Sequence, residues 1–274
     1  MSKYKLIATD LDGTLLNSKS EVSDENIKAI AECYSIGVPV VPTTGRALGE
    51  IPKSVFNSKE VRYFLTSNGS ALYDREKDSF TFRRINKENL DYLFRLVDST
   101  ESIVCVHYGG ECFVSREQFD DYARYNIPKY YHDALIDSEK YVDSIADFID
   151  SVPGVEKFIA FFASDDDLAS VLAELREADL FNVTAAEAHS IEVTAKNATK
   201  GLALADFAAS FGFDISEVIA VGDSGNDASM LAVAGLPLVV SNGVPAAKKL
   251  ASEIICSNDE HAIKYILENI LESE

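Results

Sequence analysis

The sequence predicts an α/β protein: one parallel sheet, interrupted by an α+β insert. Three observations predict it. Tyr4-Lys5-Leu6-Ile7-Ala8-Thr9 is apolar and rich in strand formers, and it stops abruptly at Asp10-Leu11-Asp12-Gly13-Thr14. Val218-Ile219-Ala220-Val221 repeats the pattern late in the chain and runs straight into Gly222-Asp223-Ser224-Gly225-Asn226-Asp227. The region between carries helix stripes and hairpins of its own. Short apolar runs bounded by turn residues suit strands buried on both faces of a parallel sheet. Polar residues then collect at the strands' C-terminal edge, where open α/β sheets bind ligands.

The elements follow in order. Ser23-Asp24-Glu25 opens a helix with a capping hydroxyl and acids in its first turn, and Gly37 closes it. Ile27, Ile30, Ala31 and Tyr34 fall at helical spacing and predict its buried stripe. Val38-Pro39-Val40-Val41-Pro42 reads as a short strand whose prolines mark its ends, leading into Thr43-Thr44-Gly45-Arg46. A helix interrupted by Pro52, a strand at Arg62-Tyr63-Phe64-Leu65-Thr66 and a hairpin around residues 74–78 come next. From Ile85 the texture changes: a helix with Leu90, Leu93, Phe94 and Val97, a hairpin turning at Tyr108-Gly109-Gly110, then helix, strand and helix. Asp165-Asp166-Asp167 precedes the last of these helices, which favours capping over metal binding. Thr199-Lys200-Gly201 starts an Ala- and Leu-rich helix, and alternating strands and helices follow Asp227 to the end. The expected organisation is a core over 1–84, a cap over 85–189 and the rest of the core over 190–274.

Charge narrows the partners. Asp and Glu number 45 against 25 Lys and Arg, a net charge of −20 that repels nucleic acid and anionic membrane surfaces. No apolar stretch reaches membrane-spanning length, and the N-terminus lacks a charged-then-apolar leader pattern, which points to the cytoplasm. Cys33, Cys105, Cys112 and Cys256 show no C-x-x-C spacing. Cys105 and Cys112 lie on facing arms of a hairpin, but free thiols are the expectation without a secretion signal.

Four polar clusters fall where sheet-edge loops belong: Asp10 and Asp12, Thr44-Gly45-Arg46, Lys200, and Asp223 with Asp227. Alone, each has a plain reading as a turn or a solvated side chain. Side chains two residues apart in an extended segment leave on one side, so Asp10 and Asp12 address one centre, and their repulsion calls for a cation or proton. Magnesium suits such hard oxygen donors.

Together with Ser67-Asn68-Gly69, these motifs make the chain resemble the haloacid dehalogenase-like superfamily, specifically its Cof-type hydrolases. The resemblance spans nearly the whole chain. It implies a Rossmann-like, doubly wound parallel-sheet core with an α+β cap inserted between the second and third motifs. It also implies a Mg2+-dependent phosphatase of small phosphorylated metabolites, such as sugar phosphates or phosphorylated cofactors. Asp10 would be the nucleophile, forming an aspartyl-phosphate, and Asp12 the general acid and base. The metal would be held by Asp10, the Asp12 carbonyl and Asp223, with Asp227 behind them. Leu11, Thr44, Gly45, Lys200 and Asn226 would bind the phosphoryl oxygens. Arg46 is read either on the non-reacting part of the substrate or in a structural ion pair. Asp12 sets the chain apart from the dehalogenases of the superfamily, whose halide leaves without a proton. Three features depart from the family pattern: Val240-Ser241-Asn242-Gly243 in place of a small residue-Gly-Asn-Ala motif, the absence of the usual Pro and Gly shortly before Lys200, where Lys196 offers a second amine, and Pro42 before the Thr pair. Competing readings are a phosphosugar mutase of the same superfamily and a catalytically silent phosphate-binding protein. Residues 125–132 are the expected specificity segment of the cap.

Overall fold

Strand β1 (Leu6–Thr9) is fully buried, as an uninterrupted apolar run requires, because both of its neighbours run parallel to it. It pairs with β14 (Val218–Gly222) on one side, Ala8 opposite Ala220, and with β2 (Val40–Pro42) on the other, Ala8 opposite Val41. β15 (Leu236–Val240) and β16 (Glu253–Ile255) complete a five-stranded parallel sheet in the order β16-β15-β14-β1-β2. The chain steps outward from β1 in one direction and returns through β14 to step outward in the other. The order therefore reverses between β1 and β14, the place where doubly wound sheets open a crevice. A single parallel bridge, Thr43 to Leu65, leads on to β3 (Tyr63–Thr66), which pairs antiparallel with β4 (Ala71–Asp74). β5 (Ser79–Phe82) completes that sheet. Pro42 ends its strand and Pro39 precedes it, so neither interrupts the ladder.

The computed structural model describes residues 3–127, 132, 140–186 and 189–271. The chain forms two units. One comprises Met1–Gly45, Ile51–Thr81 and Thr199–Glu274, and the other Arg46–Glu50 and Phe82–Ala198. The first is the parallel-sheet α/β core. Leu6, Ala8, Val41, Val218, Ala220 and Val239 from its strands pack on Leu204, Phe207 and Leu231 from its helices.

Helix Asp24–Ser35 starts where its cap predicts, with the Asn26 N–H donating to Ser23 Oγ. Its buried face differs from the expected stripe. Asn26, Ala29, Ile30 and Cys33 are buried, whereas Tyr34 is 39% exposed. Asn26 is the cause: its Nδ2 donates to the Leu15 carbonyl, and its Oδ1 accepts from the Ile263 and Lys264 N–H groups. A paired polar side chain thus takes the centre of the buried face, and the apolar periodicity alone points about a quarter-turn away.

The second unit is an antiparallel-rich α+β layer. Its strands are β6 (Ile85–Asn86), β7 (Ser102–Tyr108), β8 (Glu111–Ser115), β9 (Lys140–Val142), β10 (Gly154–Val155), β11 (Lys157–Phe162), β12 (Phe181–Ala186) and β13 (Ser190–Ala195). Six form a sheet in the order β12-β13-β11-β7-β8-β9, and β6 pairs with β10. Val104, Val106, Phe158, Ala160 and Phe162 face helices Lys87–Asp98, Ile145–Ser151 and Asp165–Ala178. Ile103, Cys105, Val114, Ile159 and Phe161 line the opposite face with Ala47, Phe119, Tyr125 and Ile127. β13 pairs with β11 and β12 here, so this strand does not join the core sheet as the boundary at residue 190 expects. Ser164 caps helix Asp165–Ala178, accepting from the Asp166 and Asp167 N–H groups, so the three acids sit in a first turn as the capping reading has it. None of the four cysteines is in a disulfide, and Cys33, Cys105 and Cys112 are buried. Among the described residues, no helix is long and apolar enough to cross a membrane. Of the expected specificity segment, residues 128–131 lie outside the described residues.

Candidate active site

Three adjacent strands bring the predicted polar residues to one edge of the core sheet. The Asp10 N–H donates to the Val221 carbonyl at 3.0 Å, the Thr43 N–H to Thr9 at 2.7 Å and the Thr44 N–H to Leu65 at 2.8 Å. Asp10, Thr44-Gly45 and Asp223 therefore leave the C-terminal ends of β1, β2 and β14, on either side of the point where strand order reverses. Asp10 and Thr44 are buried, and Asp12 is exposed on the turn beyond.

Gly13 shapes that turn. Its φ is +71°, and a Cβ there would lie 2.6 Å from Asp223 Oδ2, so only glycine lets the turn lie against the second acidic loop. Thr14 adds a direct tie, its Oγ1 donating to Asp223 Oδ1 at 3.4 Å. Asn242 secures the same turn from outside: its Nδ2 donates to the Gly13 carbonyl, and its Oδ1 accepts from the Asn258 N–H. Asn258 Nδ2 donates in turn to the Leu16 carbonyl.

Lys200 is the electrostatic centre. Its side chain is 0% exposed, and Nζ donates to Asp10 Oδ1 and Asp227 Oδ1, each at 2.7 Å. Burial alone would lower its pKa, but the two carboxylates more than offset this and raise it, so the amine is a permanent cation. The helix carrying it packs tightly on the helix Ala228–Val233 that follows Asp227. A Cβ at Gly201 would meet the Ser229 carbonyl at 2.2 Å, and the Gly201 N–H donates to Ser229 Oγ. Lys196 is elsewhere, its Nζ bound to Asp179 in the second unit.

Asp227 is 0% exposed and has both oxygens engaged. Oδ1 holds Lys200, while Oδ2 accepts from the Asp223 and Ser224 N–H groups at 2.9 and 3.0 Å. Burial, and next the charge of Asp227, raise Asp10 well above the ordinary carboxylate range, with Lys200 opposing them. Burial and Asp227 likewise push Asp223 up to about 6. Asp10, Asp223 and Asp227 present oxygens within 4.8 Å of one another. Three carboxylates against one ammonium leave a surplus of negative charge among hard oxygen donors, and a divalent cation fits that surplus. With Asp227 fully bonded, Asp10 and Asp223 are the donors that remain.

Asn226 belongs to this loop, its Oδ1 accepting from Ser224 Oγ and its Nδ2 3.5 Å from Asn68 Oδ1. Arg46 is the predicted site residue that falls in the second unit, where its Nη1 donates to the Glu50 carbonyl at 2.8 Å. Sequence reasoning did not assign the ties made by Thr14, Asn242 and Asn258. Thr14 sits inside the acidic motif, so its position carried a signal. The reach of Asn258 back to Leu16 spans almost the whole chain and left none.

Known proteins place the chain. Residues 7–267 match the family model of the haloacid dehalogenase-like hydrolases. Phosphatase YwpJ of Bacillus subtilis is 27% identical over 97% of this chain and 100% of its own length. The 5-amino-6-(5-phospho-D-ribitylamino)uracil phosphatase YcsE of the same organism is 31% identical over 94% of this chain and 92% of its own. Among solved structures, a haloacid dehalogenase-like hydrolase from B. subtilis superposes with a TM-score of 0.83 at 28% identity, covering 97% of this chain and 100% of that one. The site at the reversal of the core sheet is thus set in a shared architecture, and the chain belongs to the haloacid dehalogenase-like hydrolase family, as a Cof-type phosphatase.

Proposed function

We propose that the chain hydrolyses small phosphorylated metabolites with Mg2+, through a phosphorylated Asp10. The observation that carries this reading is the buried Lys200 held 2.7 Å from both Asp10 and Asp227. Lys200 opposes the proton that burial and the charge of Asp227 favour on Asp10, and so supports the ionised carboxylate that a nucleophile must be.

An Asp10 oxygen attacks phosphorus, and the bond from phosphorus to the ester oxygen breaks. Asp12, exposed beside it, gives its proton to the departing oxygen. The Asp12 carboxylate then takes a proton from water, whose oxygen attacks phosphorus and breaks the acyl-phosphate bond, releasing phosphate and restoring both aspartates. Lys200, the Thr44 hydroxyl, the Leu11 and Gly45 amides and Asn226 bind the phosphoryl oxygens and the charge that develops on them. Asp10, Asp223 and the Asp12 carbonyl would hold Mg2+, which supplies charge neutralisation between the phosphate and the acidic cluster. Asp227 fixes the loop and the lysine.

Three B. subtilis relatives are named phosphatases of a ribitylaminouracil phosphate, a phosphorylated polyol carried on a heterocycle. We extend that class to this chain: phosphate monoesters of sugars, polyols or cofactors. The test is phosphate release from p-nitrophenyl phosphate and a metabolite panel with and without Mg2+, wild type beside Asp10→Asn. Mg2+-dependent release that vanishes in the variant is expected. A variant that still turns over would overturn the nucleophile assignment. A wild type that interconverts hexose phosphates without net release would overturn hydrolysis.

A further inference from the structure

The second unit holds a cluster that the phosphatase chemistry does not use. Glu50, His107 and Cys112 are 7%, 1% and 2% exposed, and each offers a ligand atom within 4.8 Å of the others. His107 and Cys112 are cross-strand partners in the β7–β8 hairpin, so their side chains project from the same face of the sheet. Glu50 arrives on the turn Leu48–Glu50, its Oε2 3.5 Å from His107 Nε2. That turn is fixed to the hairpin by the Gly49 N–H, which donates to the Gly110 carbonyl at 2.9 Å. Ala47 N–H donates to the Glu50 carboxylate and orients it.

We infer that Glu50, His107 and Cys112 form a transition-metal site, distinct from the carboxylate cluster of the core and suited to Zn2+. A thiolate, an imidazole and a carboxylate are the donors zinc takes, whereas Mg2+ and Ca2+ take oxygens alone. Charge agrees with this. A thiolate and a carboxylate with a neutral imidazole carry two negative charges, which a divalent ion cancels inside a dry unit; the Cys112 proton leaves to solvent on binding. The His107 imidazole is buried with Nε2 turned toward the Glu50 carboxylate, in position to ligate beside it. Three ligands from two separate segments would fasten Arg46–Glu50 to the sheet of the second unit.

The test uses the full chain stripped of metal and kept in excess Mg2+, then titrated with Co2+. A thiolate-to-cobalt charge-transfer band saturating at one Co2+ per chain is expected, bleached by added Zn2+. The band should disappear in Cys112→Ser and persist in Cys105→Ser and Cys256→Ser. No band at saturating Co2+ overturns the site, as does a band that survives in Cys112→Ser. Should Cys112→Ser fail to fold, Glu50→Gln serves: it should lose the rise in melting temperature that Zn2+ gives the wild type. A rise of equal size in both refutes the assignment.

Discussion

Replacing Lys200 with Met tests the electrostatics at their centre. Methionine keeps the length and the apolar stem but removes an ammonium that is 0% exposed and bonded at 2.7 Å to two carboxylates. Leaving buried charge without its partner costs about 3–5 kcal/mol. The lower end applies here, since Asp227 Oδ2 retains two amide donors and Asp10 can take up a proton. A loss of ~3 kcal/mol lowers the melting temperature by roughly 6–12 °C at about 2–4 °C per kcal/mol. The assay is thermal and urea unfolding in EDTA, so that no metal substitutes for the missing cation. The double variant Lys200→Met, Asp227→Asn removes one of the abandoned charges, so its loss should fall short of the sum of the singles by about 1–3 kcal/mol. A Lys200→Met variant within ~0.5 kcal/mol of wild type, the range of ordinary surface changes, or strict additivity in the cycle, would refute the buried triad as the organising charge.

Gly13→Ala should cost about 1–3 kcal/mol from the forced left-handed backbone, with a larger fractional loss of phosphatase rate, because the new Cβ would press on Asp223; calorimetry beside initial rates checks both. Phe158→Ala, at a position 0% exposed between the sheet and helices of the second unit, should destabilise by about 3–5 kcal/mol in urea unfolding. Burial, and next Glu260, push the Cys256 thiol up from 9.0 to about 11. Thiolate is the reactive form, so its population at pH 8 is roughly a hundredfold below that of a thiol at 9.0. Alkylation of Cys256 followed by peptide mass mapping should therefore keep accelerating with pH well above 9, and a rate that levels off near 9 would contradict the buried setting.

Much of this was legible in the residues, for local reasons. β1 and β14 announce themselves because a parallel strand buried on both faces has no polar alternation, and the acids that end them define the sheet edge. Lys200 was distinguishable from Lys196 by the glycine after it, and the structure shows why: Gly201 meets the Ser229 backbone, while Lys196 pairs with Asp179. What the sequence concealed depends on distant partners. Helix Asp24–Ser35 is rotated by Asn26, whose acceptors and donors come from residues 15, 263 and 264. β13 looks like any apolar strand, and its sheet is decided by β11 and β12 rather than by its nearness to Lys200. Glu50, His107 and Cys112 carry no spacing signature, because a turn and a hairpin far apart in sequence bring them together.

Asp223 and Asp227 are the same residue type in one loop, yet hydrogen-bond supply gives them different work. Asp227 has three donors, two of them backbone amides of its own loop, and no exposed surface. A carboxylate so saturated has little left to offer a cation, and its value lies in holding the loop and aiming Lys200. Asp223 accepts a long bond from Thr14 and is otherwise short of donors, which is why burial and its neighbour raise it to about 6. Deprotonating a group in that state is favourable once positive charge arrives, so Asp223 gains most from a bound divalent ion. Asp10 stands between them, matched by Lys200 on one oxygen and repelled by Asp227. Lys200 opposes the proton that burial and Asp227 favour on Asp10, and under the proposed function the unmet negative charge would draw a divalent cation to Asp10 and Asp223 rather than to Asp227.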